Sequence, residues 1–139
     1  MGAENERGIE MQHVILKGYK VSEIRFVSKL ENGTRVELGN RYSYNVSYAP
    51  NNMCRGEFTL DVEDKENPDK FGIHLVLVGI FEFNGDLEKE RVHVLSFKDL
   101  FPFARSIITT VTANAGIPPV IIPPIDIESQ DIYRFEKNS

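Results

Sequence analysis

Residues 100–116 read LFPFARSIITTVTANAG, and their spacing decides the fold. Leu100, Ala104, Ile107, Ile108, Val111 and Ala115 recur at intervals of three, four and seven, which places them on one stripe of an α-helix. Pro102 fits the first turn of such a helix, where a missing N–H costs nothing. Gly116 suits the position just past the end, and Pro118 forbids continuation. The spacing therefore predicts a helix from Leu100 to Ala115.

Upstream the period is two. From Val36 to Tyr48 the even positions are Val36, Leu38, Asn40, Tyr42, Tyr44, Val46 and Tyr48, alternating with a polar set, as in a strand with one buried and one wet face. Ala49-Pro50-Asn51-Asn52 reads as a turn. Phe58, Leu60 and Val62 then alternate with Glu57, Thr59, Asp61 and Glu63, giving another strand, and Asp64 to Lys70 is a polar loop. Ile73 to Phe83, IHLVLVGIFEF, is apolar on both faces, which calls for a helix over one face and a subunit or second sheet over the other. Gln12 to Val27 reads as one long strand bent near Gly18. Short connections favour an antiparallel meander or Greek key over a βαβ sheet.

Downstream, Gly116 to Ile125 reads GIPPVIIPPI. Four prolines in ten residues exclude a helix interior or a central strand, yet the segment is too apolar for an ordinary surface loop. Its aliphatic residues either cover the sheet as core or face outward as a binding surface. A second, shorter helix is expected from Asp126, an N-cap residue, with Ile132, Tyr133 and Phe135 as its apolar side. The class is α+β: a four-stranded antiparallel sheet followed by a long helix and a short C-terminal helix, in a single domain over residues 1–139.

A chain of 139 residues buries enough surface for one core. Its net charge of -5 argues against nucleic-acid binding, which needs a basic stripe. No apolar run approaches the ~18 residues that span a bilayer, and MGAENERGIE carries no apolar signal core, so the expectation is a cytoplasmic chain without membrane insertion. Cys54 is the single cysteine and has no sequence neighbour that would act as its base. His13, His74 and His93 lie in separate segments without metal-ligand spacing. Gly79 and Gly85 form no phosphate-binding pattern, and the acidic turn Asp61, Glu63, Asp64 and Glu66 lacks EF-hand spacing. No enzyme, no metal and no cofactor are expected.

The hexapeptide LFPFAR at 100–105, followed by a proline-containing apolar loop, resembles the LFPYAR-type motif of the SecB export-chaperone family. VGIFEF at 78–83 is similar to that family's GIF-containing last strand, and LKGYKVSEIRF at 16–26 to its first strand. The resemblance implies a four-stranded sheet crossed by a long helix, and a dimer or a dimer-of-dimers tetramer. It implies a holdase that binds apolar stretches of unfolded or precursor polypeptides in a surface groove without nucleotide hydrolysis. On that reading Ile117, Val120, Ile121, Ile122 and Ile125 form one groove wall, with Phe26, Val27 and Tyr133 opposite. Family members recruit the export motor SecA through an acidic sheet surface. Glu23 matches one acidic position, whereas two others fall at Val27 and His74. Two further readings stand beside the general holdase: a dedicated chaperone of one partner, such as an antitoxin, and a small-molecule-binding α+β domain whose loop closes a pocket.

Overall fold

A computed structural model describes residues 13–127. Four strands, β1 (Val14–Ser28), β2 (Leu38–Ala49), β3 (Met53–Asp64) and β4 (Phe71–Phe83), precede one helix, α1 (Lys89–Asn114). The sheet has the order β1-β4-β3-β2 with every pairing antiparallel. Of the two topologies open to the sequence, this is the Greek key: β2 to β4 form the meander, and β1 returns beside β4.

Alternation sorts the sheet into two faces. Tyr44, Phe58 and Leu77 lie side by side across β2, β3 and β4 and are buried beneath the helix, as are Leu60, Leu75 and Phe81. The intervening residues of β3, Arg55, Glu57, Thr59, Asp61 and Glu63, turn to the far face. On that face Val78 of β4 is buried between its cross-strand neighbours Lys20 and Glu57, and Ile80 is exposed. Among the described residues no second layer covers this face.

The edge strand β1 is irregular. Its register against β4 shifts between Leu16 and Gly18 and again between Val21 and Glu23, so Lys17 and Ser22 are bulge residues. The bend expected near Gly18 is the first of these. Each bulge reverses the alternation, and consequently Tyr19, Val21 and Ile24, opposite Gly79, Leu77 and Leu75, all face the helix side.

The helix starts at Lys89, not near Leu100. Its buried stripe runs Val92, Ser96, Leu100, Ala104, Ile108 and Thr112, flanked by His93, Val94, Phe97 and Phe101. The polar residues His93 and Ser96 break the apolar pattern and hide the first turns. Pro102 thus lies inside the helix and not in its first turn; it is on the exposed side, where solvent can replace the bond it cannot make. The end is as the sequence requires: Gly116 follows it at φ +82°, its N–H bonded to Ala113 O at 3.2 Å.

Phe97 and Phe101 stack at 5.2 Å, and both meet Phe58 edge-on. At the other end of the contact the Tyr44 hydroxyl meets Ser96 Oγ at 2.6 Å. Burial pushes the Tyr44 phenol well above its ordinary range, against the opposing effect of the Ser96 hydrogen bond. Gly56 has to be glycine, because a Cβ there would occupy the space of the Tyr44 hydroxyl. The helix expected from Asp126 lies outside the described residues, which stop at Ile127.

Candidate peptide-binding groove

After Gly116 the chain reverses and is bonded back along the last turns of α1. Thr112 Oγ1 accepts from Val120 N–H at 2.8 Å, and Thr109 Oγ1 donates to Val120 O at 2.9 Å. Arg105 Nε donates to Ile122 O at 2.7 Å. The Thr112 hydroxyl itself donates back to Ile108 O, so its oxygen is free to take the Val120 N–H.

This anchoring splits the aliphatic set. Ile122 and Ile127 are 2% and 1% exposed and join the core, whereas Ile121 is 69% exposed. Ile117, Val120 and Ile125 are half-buried against the core. Both readings of the segment therefore hold at different positions. For Ile122, the reading as a groove wall is corrected, since its side chain is taken up by the protein's own interior.

An open cleft of about 560 Å³ lies between the start of this loop and the connection from β1 to β2. Its lining includes the apolar Leu30, Val36, Leu38, Phe71, Ile117 and Ile121, together with the polar Glu31 and Thr34. The connection is held at both ends, by Lys29 N–H to Lys70 O at 2.7 Å and Lys65 N–H to Glu37 O at 2.9 Å.

A second apolar surface lies on the helix side of β1. The rings of Tyr19 and Phe103 meet at 4.4 Å, tilted by 30°, with Val21 and Ile24 exposed farther along the strand at 38% and 39%. The sequence pattern assigns none of these four to a site. In a regular strand Tyr19 and Val21 would not share a face with Ile24; the Ser22 bulge brings them together, and period-two counting cannot see it.

Phe26 is on this same side, half-buried against Phe71 with ring centroids 5.8 Å apart. Val27 is not. Its cross-strand partner is Gly72, and it is exposed on the far face, beside Arg25, Asp61 and His74 at a shallow cleft of about 300 Å³. Adjacent strand residues point oppositely, so Phe26 and Val27 cannot line one wall. Tyr133 lies outside the described residues.

Glu23 also occupies the far face. It bonds Arg25 Nε at 3.0 Å and His74 Nε2 at 3.3 Å, while His74 Nδ1 meets Asp61 at 2.7 Å. The one acid that matches the export-motor pattern is therefore engaged within the sheet. Elsewhere, burial pushes the Cys54 thiol up to about 11 and holds the His93 imidazole down at about 4. Among the described residues no group of three His, Cys, Asp or Glu side chains converges to hold a metal ion, and no helix is long and apolar enough to cross a membrane.

Comparison with known proteins bears on this arrangement. The Protein-export protein SecB of Agrobacterium fabrum is 41% identical over 81 residues, 55% of this chain and 50% of that protein. Its namesake in Bradyrhizobium diazoefficiens is 37% identical over 98 residues, 64% of this chain and 59% of that protein. The chain thus spans between a half and three-fifths of these relatives' length. In fold it is similar to the Mycobacterium tuberculosis Rv1957 SecB-like chaperone, solved in complex with a ChAD peptide from the HigA1 antitoxin, with a TM-score of 0.62 at 10% identity over 81% of this chain and 91% of that one. The family described as preprotein translocase subunit SecB matches residues 7–138, and with a match of that extent the chain belongs to the SecB family.

Proposed function

We propose that this chain is a chaperone that holds unfolded polypeptides in the cytoplasm, binding their apolar segments along the surface between the proline loop and the helix side of β1, and that it acts as a dimer or tetramer. The observation that carries this reading is Ile121, 69% exposed on a loop that four prolines and three side-chain bonds to the helix keep from collapsing inward. Exposed aliphatic surface is normally an aggregation hazard, and a restrained loop can present it at low entropic cost to a client. Family membership supports the reading, as does the peptide complex of the SecB-like chaperone with which this chain shares its fold.

Service to one dedicated partner, such as an antitoxin, is a second reading. It is favoured by the far face, where Arg25 Nε lies 3.0 Å from Glu23 and partly offsets the charge that this acid would offer an export motor such as SecA.

The test is titration with reduced, carboxymethylated α-lactalbumin, which stays unfolded, and with the same protein in its native state. The reading predicts saturable binding of the unfolded form alone. Saturable binding of a fatty acid with no affinity for the unfolded chain would instead make the cleft a small-molecule pocket.

A further inference from the structure

We propose that Arg105, Thr109 and Thr112 are positioning residues for client binding: a latch on α1 that fixes which face of the proline loop meets the client. The proposal rests on the chaperone reading above and deepens it. The three side chains occupy successive turns of one helix face, at spacings of four and three. Between them they bond the N–H and the C=O of Val120 and the C=O of Ile122.

The consequence is stereochemical. In an extended segment, the N–H and C=O of one residue point to the same edge, and those of the next residue to the opposite edge. With residues 120 and 122 turned to the helix, the peptide groups of Ile121 turn away from it. Pro119 and Pro123 share that outer edge and have no N–H to offer. The edge is therefore unsuited to unlimited strand pairing, and the loop meets a client through the Ile121 side chain and one donor. The latch also accounts for the split in burial, with Ile122 at 2% and Ile121 at 69%, which prolines alone would not dictate. The arginine of LFPFAR thereby acquires a physical role. Its guanidinium lies 6.0 Å from the Phe101 ring, which steadies it toward Ile122 O.

The experiment compares wild type, Arg105→Leu/Thr109→Val and the conservative Arg105→Lys/Thr109→Ser. Two quantities are read: hydrogen exchange at Val120, whose N–H is held by the helix, and the dissociation rate of reduced, carboxymethylated α-lactalbumin. The latch predicts at least tenfold faster loop exchange and at least tenfold faster dissociation for the first variant, at nearly unchanged melting temperature, with substantial recovery in the second. Unchanged loop exchange would show that the bonds do not hold the loop. Accelerated exchange with unchanged dissociation would overturn the positioning role alone. A wild-type protein that never binds the probe overturns the chaperone reading itself and the positioning role with it.

Discussion

The Tyr44 hydroxyl lies 2.6 Å from Ser96 Oγ, in a buried contact that joins β2 to α1 across 52 positions of sequence. Ser96 Oγ also donates to His93 O at 3.2 Å, so the serine keeps a partner if Tyr44 is lost, whereas removing Ser96 deprives a buried phenol. Ser96→Ala is therefore expected to cost about 1–3 kcal/mol and Tyr44→Phe about 1, with the double variant costing less than the sum. Urea denaturation of the four proteins measures the coupling, and strict additivity would contradict it.

His93 makes stability depend on pH. Burial holds its imidazole down at about 4, against an ordinary value of 6.5. The folded chain keeps the ring neutral, so as pH falls the unfolded chain takes up the proton first. The stability this provides is complete above roughly pH 6.5 and is lost on the way down to about 4, to the extent of about 3 kcal/mol at most. Replacing His93 with Leu removes this slope. Parallel stability curves for wild type and variant between pH 7 and 4.5 would refute the assignment.

Cys54 is buried, and its thiol is pushed up to about 11. At pH 8 it is a neutral thiol shielded from solvent. Iodoacetamide is expected to alkylate it at least a hundredfold more slowly in the folded protein than in urea, and Cys54→Ser should leave client binding intact. Loss of binding in that variant would implicate the thiol.

Among the described residues the 15-residue β1 is an edge strand with one side unpaired, carrying exposed Ile15, Tyr19, Val21, Ile24 and Val27. Such an edge invites pairing unless it is covered. A dimer or tetramer is expected by light scattering at micromolar concentration, and a monomer would contradict the proposed assembly.

Much of the fold is legible in patterns with a single physical cause. The alternation at Tyr42, Tyr44, Val46 and Tyr48 gives β2 its buried face, and Gly116 with Pro118 fixes the end of α1. What escapes is whatever tertiary context overrides the pattern. The first turns of α1 bury His93 and Ser96, which composition reads as polar surface. Bulges at Lys17 and Ser22 realign β1, so period-two counting leaves Tyr19, Val21 and Ile24 unassigned; the placing of Val27 beside Phe26 comes from the family resemblance, and strand alternation overturns it. In the proline loop, composition shows that aliphatic residues are restrained, but which of them turn inward depends on bonds from Arg105, Thr109 and Thr112, 8 to 17 residues away.

The central claim is that the loop presents Ile121 outward for a client while Ile122 anchors it. The most direct measurement is the affinity of Ile121→Asn for reduced, carboxymethylated α-lactalbumin, with unfolding stability followed in parallel and Ile122→Asn as the contrasting variant. Burial of one isoleucine against a client is worth about 1.5–3 kcal/mol. Ile121→Asn should thus bind roughly ten- to a hundredfold more weakly while its stability moves by less than about 0.5 kcal/mol. Ile122→Asn, placing an amide in the core, should instead lose several kcal/mol of stability. An Ile121→Asn protein that is folded and binds the unfolded probe as tightly as wild type would contradict the account.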